Sequence, residues 1–468
     1  MRKTTANIST TNHQEGNRAS LMRRPLGSCG LCGSWLIILL LFFGESITAQ
    51  DNRGVLSQPP QAALLPLIEN APEIVSHAAV VLDAATGTLL YAKNPYDEIP
   101  PASLTKLMTM HLVQNEINAG RADLDETVSI TPESWAINQP RGSSLMFLGP
   151  GQTCTLRDIM LGLAVCSGND AAIAAALACA PTVDDFVSMM NSEALRLGFT
   201  VTRFTEPSGI SEHNITCAAE FAYLCRYYLA MHPQALEMFH SVREFSWPRP
   251  ENVAPNFRDD PHTITQYNRN NLLRTYPGVD GMKTGYIDES GYNIALTAER
   301  NGTRFIAVIL GAPTGRSGER IRDDDGRRLL DWAFANFKTV YPEIGKLKET
   351  RLWKGKEKTV HFKLAQPDPL AAGAAFTSGN TAFIAPAGSA AFTAPANRAQ
   401  SLWVSYEFTD PLIAPLPADY PAGSLIISDE QSELYRVQLL TDKVYERGNI
   451  FRRIWDSLRL LFYRPAAG

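Results

Sequence analysis

Charge is scarce in this chain. Of its 468 residues only 19% are Asp, Glu, Lys or Arg, while 45% are hydrophobic, a balance that excludes a disordered polyelectrolyte and a coiled coil. Cations are not in surplus either: 43 Lys and Arg face 48 Asp and Glu, a net charge of −5. That is the wrong sign for a protein that works by neutralising nucleic-acid phosphates, so no nucleic-acid partner is expected. The apolar run from Trp35 to Phe43 is far shorter than the roughly 20 residues a membrane-crossing helix needs. Cysteines number 7, and with Cys29 and Cys32 inside a leader the remaining Cys154, Cys166, Cys179, Cys217 and Cys225 are odd in number, which excludes a complete disulfide framework. No Cys or His cluster has metal-ligand spacing, so neither metal nor cofactor is expected.

The two ends carry what the average hides. Arg23 and Arg24 precede the Trp35 to Phe43 run and Ile47-Thr48-Ala49 follows it, the order of a signal peptide with Gln50 as the mature start, the true initiator being Met1 or Met22. At the other end Ile450, Phe451, Ile454, Trp455, Leu458, Leu461 and Phe462 recur at steps of three and four, with Arg452, Asp456, Arg459 and Tyr463 on the opposite side. Four arginines against Asp456, with Trp and Phe on the apolar face, suit a helix lying in the interface of an anionic leaflet. A terminal helix docked on its own protein is the alternative.

Between the ends, the length allows two or three domains. Residues 71–339 mix strands and helices. A hairpin is expected from Ala79 to Tyr91, helices at Leu104 to Ala119, Leu156 to Val165 and Ala171 to Ala180, strands at Asn293 to Ala298 and Arg304 to Leu310 about an Asn301-Gly302 turn, and a closing helix from Arg327 to Phe337. Strands at both ends with helices between is an α+β pattern. From Arg351 onward short strands separated by Ala, Gly and Pro predict a small all-β sandwich, with the Ala371 to Ala396 stretch in its loops.

Three motifs carry chemistry. Ser103-Leu104-Thr105-Lys106 sets a hydroxyl and an amine about one turn apart at a helix start, and a lysine kept neutral by burial or neighbouring cations can take the proton of a serine. Ser167-Gly168-Asn169 lies between two predicted helices, where glycine permits a turn that aims polar side chains into a cleft. A second Ser-Gly-Asn at Ser378 falls in the Ala/Gly-rich stretch and is taken as coincidence. Lys283-Thr284-Gly285 looks like the start of a strand edging a cleft, with a cation and a hydroxyl suited to a carboxylate and a glycine that lets a substrate backbone come close. Singly, each motif is as well explained by an exposed helix start or a surface turn.

Taken in order, Ser-x-x-Lys, Ser-x-Asn and Lys-Thr-Gly make the sequence resemble the penicillin-recognising serine enzymes. Within them it is similar to the low-molecular-mass D-alanyl-D-alanine carboxypeptidases of peptidase family S11, through Pro101 to Lys106, Gly142 to Leu148, Ser167 to Ala171, Asn268 to Asn270 and Val279 to Gly285. The resemblance implies a transpeptidase-like catalytic domain at 71–345, a β-sandwich domain at 346–447 and a membrane-anchor helix at 448–468, after a signal peptide at 1–49 and a linker at 50–70. It implies removal of the terminal D-alanine from peptidoglycan stem pentapeptides, covalent inhibition by β-lactams, and residence on the periplasmic face of the bacterial inner membrane.

By the same resemblance Ser103 is the nucleophile, Lys106 its base and Ser167 the proton carrier to the leaving nitrogen. Asn169 binds the substrate backbone, Lys283 and Thr284 hold its terminal carboxylate, Gly285 lies against the substrate backbone, and the N–H groups of Ser103 and Tyr286 form the oxyanion hole. Arg269 is a further candidate for the carboxylate, a structural ion pair being the alternative. Tyr286-Ile287 replaces the family's common His-Thr, and Ala312 to Asp325 departs from the usual pattern. A serine β-lactamase would need a deacylating glutamate on a loop between the second and third motifs, where none stands out; a D,D-endopeptidase or a non-catalytic penicillin-binding wall protein are the other readings.

Overall fold

The computed structural model describes residues 71–341, 349–365, 384–385, 389–399, 402–430 and 432–463; the expected signal peptide and linker lie outside the described residues. In chain order the hairpin β1 (Ala78–Asp83) and β2 (Leu89–Lys93) is followed by α1 (Lys106–Asn118), the two-residue strands β3 (Thr127–Val128) and β4 (Cys154–Thr155), α2 (Leu156–Leu161), α3 (Asn169–Cys179), α4 (Val183–Arg196) and α5 (Ala218–Met231). Then come the hairpin β5 (Glu244–Trp247) and β6 (Ile264–Tyr267), the single turn α6 (Leu272–Thr275), the long strands β7 (Val279–Ile287), β8 (Gly291–Arg300) and β9 (Thr303–Ala312), α7 (Gly318–Asn336) and β10 (Phe337–Val340).

Five strands form one antiparallel sheet in the order β2-β1-β9-β8-β7. Because side chains alternate along a strand, β1 sends Ala78, Val80 and Leu82 into the core shared with α1, α3 and α5, and Ala79 and Val81 into the core under α7. Both faces of the sheet are therefore covered, and β1 is buried along its whole length. Helix α1 is enclosed too, every residue from Lys106 to Gln114 being buried, so its first turn holds the Lys106 amine away from water. Thr155 and Asp158 cap α2 reciprocally, as their spacing predicts. Helix α7 starts well before the expected Arg327, and strand β7 starts before Lys283, which stands mid-strand.

The all-β part has a four-stranded sheet containing Trp403–Phe408, Pro421–Ser428 and Glu433–Thr441, and a three-stranded one built on Thr350–Trp353. Leu352, Val360, Leu425, Ile427 and Leu439 fill its core. One expectation needs correction. Phe392–Pro395, assigned to a loop by its Ala and Pro content, is a buried strand paired with β10; the small Ala394 lets it pack closely. Residues 371–383 lie outside the described set.

That pairing joins the two parts around a buried carboxylate. Asp83 accepts hydrogen bonds from the Thr339 and Thr393 hydroxyls, both at 2.8 Å, and from the Ala85 and Thr86 backbone N–H groups. Burial raises its pKa against those four bonds. Removing the acceptor leaves buried donors without partners, so Asp83→Ala is expected to lower unfolding stability by about 3 kcal/mol, read by urea denaturation.

The C-terminal α8 (Ile450–Leu460) turns its polar side inward, the inverse of a helix docked by an apolar face. Its polar Asp456 is the buried residue, accepting from Lys354 N at 2.7 Å with Arg351 and Arg452 alongside. Ile450, Phe451, Ile454, Trp455, Leu458, Leu461 and Phe462 are exposed.

Candidate active site

The first motif is shaped by its backbone. Ala102 has φ of +50°, an uncommon conformation for a residue with a side chain; it turns the chain into the 3₁₀ turn Ala102–Thr105, from which α1 continues at Lys106. This puts Lys106 Nζ 3.1 Å from Ser103 Oγ. Two further acceptors hold the amine, Asn169 Oδ1 at 2.8 Å and the Ser208 carbonyl oxygen at 2.5 Å. Lys106 is buried, whereas Ser103 keeps part of its surface open. Burial pulls the Lys106 pKa down to about 7, helped by Arg269 and opposed by Glu206 and Asp170.

The second motif follows an irregular turn. Helix α2 widens into the π-helical segment Gly162–Cys166, and Ser167 ends it in the left-handed conformation at φ 59°. Such π-turns re-aim side chains, and here Ser167 Oγ accepts from Lys283 Nζ at 2.9 Å. Gly162 is tightly packed there, since a Cβ would lie 2.3 Å from Met146 Sδ and displace that side chain. Asn169 Nδ2 donates to Ser143 Oγ at 3.1 Å. Behind them the buried Asp170 accepts from the N–H groups of Met146, Phe147 and Leu148 at 2.8, 2.8 and 3.0 Å. It thereby wraps the Gly142 to Leu148 segment around the second motif. The β5-β6 hairpin backs the same segment through Gln266, which donates to the Leu145 carbonyl at 2.8 Å.

Lys283 and Thr284 are both buried on the edge strand β7. Besides Ser167, Lys283 donates to the Thr284 carbonyl at 2.9 Å, and burial together with Lys106, Arg269 and Arg322 pushes its pKa well down. Gly285 abuts the first motif. A Cβ there would lie 2.9 Å from both Pro101 O and Ser103 N, so the bare position is also needed by the protein's own Ser103 turn. Gly285→Ala is expected to push that turn aside and slow penicillin acylation at least about tenfold, because small misplacements of reacting groups are costly; stopped-flow labelling reads it. Tyr286 is two-fifths exposed, its ring 4.3 Å from that of Tyr292 and its hydroxyl donating to Asp288 at 2.5 Å. Arg269 is exposed and makes no ion pair among the described residues, while its charge acts on both lysines.

Two contributors escaped the motif reading. Ser208 acts through its backbone carbonyl, which leaves no side-chain signature. Glu206 does stand on a loop between the second and third motifs, but its oxygens accept from Ser208 N, Gly209 N and Ser208 Oγ at 2.7, 2.5 and 2.5 Å. A carboxylate so engaged is badly placed to hold a deacylating water.

A helical insert laid on a five-stranded antiparallel sheet, with a serine and a buried lysine on its first turn and a second lysine on the facing edge strand, defines the fold shared by penicillin-binding proteins and serine β-lactamases. Within that class the family model described as D-alanyl-D-alanine carboxypeptidase, peptidase family S11, matches residues 66–314, and the chain belongs to that family. The D-alanyl-D-alanine carboxypeptidase DacC of Escherichia coli is 31% identical over 401 residues, covering 84% of this chain and 90% of its own length. DacF of Bacillus subtilis is 31% identical over 333 residues, covering 71% and 77%. Penicillin binding protein 5 from Haemophilus influenzae superposes with a TM-score of 0.67 at 28% identity, over 81% of this chain and 99% of that one.

Proposed function

We propose that the protein is a serine-type D-alanyl-D-alanine carboxypeptidase that works through an acyl-enzyme on Ser103. The observation that carries this reading is the setting of Lys106. A neutral amine has two N–H donors and one lone pair. Asn169 Oδ1 and the Ser208 carbonyl, at 2.8 and 2.5 Å, take the donors, which turns the lone pair to Ser103 Oγ. Lys106 then accepts the serine proton as Oγ attacks the carbonyl between the two terminal D-alanines of a stem peptide. The N–H groups of Ser103 and Tyr286 receive the developing oxyanion, each such donor contributing about 3 kcal/mol. As the C–N bond breaks, Ser167 gives its proton to the departing nitrogen and recovers one from the Lys106 ammonium, so that Lys106 is again neutral when water hydrolyses the ester.

The substrate ends in a carboxylate, which Lys283, Thr284 and Arg269 are suited to bind. Its arrival offsets the repulsion among Lys283, Lys106 and Arg269 and favours the charged form of Lys283. Asn169 holds the peptide backbone, and a β-lactam enters by the same attack. The test is D-alanine release from a pentapeptide stem analogue by the full chain; absence of release refutes the reading. A D,D-endopeptidase would instead cut cross-linked dimers at a comparable or higher rate.

We further propose that the mature protein is exported through a signal peptide at 1–49 and rests on the periplasmic face of the inner membrane by α8. The support is the inverted seat of that helix, since apolar exposure on this scale beside arginines fits an anionic lipid interface. Phe451→Glu with Trp455→Glu is expected to abolish co-sedimentation with phosphatidylglycerol vesicles and to leave D-alanine release in solution unchanged. Vesicle binding that survives both changes would sink the anchor assignment.

A further inference from the structure

The loop from Thr205 to Asn214 faces the first motif and is held almost entirely by two side chains. Glu206 accepts from Ser208 N, Ser208 Oγ, Gly209 N and Asn214 Nδ2, the last at 2.9 Å. The fully buried Asn214 returns the hold: its Oδ1 accepts from Thr205 N at 2.7 Å, and its Nδ2 also donates to Thr105 Oγ1 at 3.2 Å, between the two residues of the reacting pair. Pro207 O accepts from the Thr109 hydroxyl of α1 at 2.7 Å. Gly209, at φ +81°, lies so close to the Ser103 turn that a Cβ would fall 1.8 Å from Ala102 O. The loop is thus keyed to both ends of the Ser-x-x-Lys motif, and it reaches the amine through the Ser208 carbonyl, which accepts from Lys106 Nζ.

We propose that Glu206 is a positioning residue of the reaction: by fastening this loop it aims the Ser208 carbonyl at Lys106 Nζ and thereby directs the amine's free valence at Ser103 Oγ. Geometry makes the case. Ser208 O occupies one of the two donors of the neutral amine, and if that oxygen drifts, the lone pair drifts with it. Glu206 cannot itself take the serine's proton, because its oxygens are engaged by the loop. Its charge has a second consequence. The groups facing Lys106 are Glu206 and Asp170, which favour the ammonium form, and Arg269, which opposes it, with Lys283 coupled to it as a further cation. Removing the negative charge of Glu206 therefore favours the neutral amine and lets the base work at lower pH.

This inference rests on Lys106 as the base, and the experiment separates the two. The full chain is compared as wild type, Glu206→Gln and Lys106→Ala, following the penicillin acylation rate and kcat and KM for the pentapeptide analogue against pH. Glutamine keeps the length and one acceptor of the glutamate and removes its charge. Glu206→Gln is expected to slow acylation and kcat about tenfold with little change in KM, and to move the acid limb of the rate profile to lower pH. A merely structural role would lower activity through unfolding and leave the limb in place, so an unmoved acid limb overturns the proposal whatever the rate. Acylation that persists in Lys106→Ala refutes the base assignment itself; loss there, with Glu206→Gln behaving as wild type, refutes only the role given to Glu206.

Discussion

Ser103→Ala is expected to release D-alanine from a pentapeptide stem at least about 10⁴-fold more slowly than the wild type, the scale seen when an activated nucleophile is removed. It is also expected to take up no penicillin. Alanine fits the 3₁₀ turn without strain, so folding and the Asn169 and Ser208 contacts to Lys106 stay intact and the loss belongs to chemistry. What remains is binding and the oxyanion hole, which alone give only a small part of such rate enhancements. One rival nucleophile is nearby: Ser167 also faces a lysine, its Oγ accepting from Lys283 at 2.9 Å. Mass analysis of the penicillin-labelled wild type decides between them. A label on the Ser103 peptide is the expected result; a label on the Ser167 peptide, or turnover that survives Ser103→Ala, would reverse the assignment.

The second large effect is that of Lys106. Lys106→Ala is expected to slow acylation by about 10³-fold, within the range of a lost general base. Lys106→Arg is not expected to restore it, because a guanidinium stays charged at any working pH. The sign of the pH dependence follows from the base being active only when neutral. With burial bringing the amine to about 7, the neutral fraction, and with it the acylation rate, rises with pH up to that value and then levels off. An unburied lysine, near 10.4, would give a rate still climbing at pH 9. A profile flat between about pH 5 and 8 would contradict the assignment.

Much of this site was legible in the residues, and the exceptions have physical reasons. Ser103, Lys106, Ser167, Asn169 and Lys283 are brought together as the motif order implies, because side-chain chemistry leaves a trace in sequence. The Ser208 carbonyl leaves none, being backbone. Glu206 was passed over because a lone glutamate in a polar loop has no pattern, and its meaning lies in the donors that the folded loop turns toward it. The contact of Gly285 with the Ser103 turn was not foreseen, since sequence shows that a side chain is missing without showing which parts of the chain come close. Helix α7 was cut short at Arg327 because its first half is rich in Asp and Arg and lacks apolar periodicity. The order there comes from tertiary partners, Asp325 accepting from Ser76 N at 2.8 Å across 249 residues. The C-terminal helix shows the converse: periodicity foretold its amphipathicity, but the way it faces is set by the seat of Asp456.

The sheet itself has a consequence in time. Strand β1 lies between β2, its close neighbour in sequence, and β9, which begins only at Thr303. Until that later stretch of chain is available, Ala78 to Asp83 has one edge without a partner, and the core it shares with the helices lacks Ile306, Val308 and Leu310. The working parts of the cleft share this delay, for Ser103 stands on the early side and Lys283 on the late one. Folding of the catalytic unit is therefore a late, collective event dominated by distant pairings, and such topologies are slow. A chain halted before Ala312 would expose strand edges and apolar helix faces together, the surfaces through which unfinished proteins aggregate.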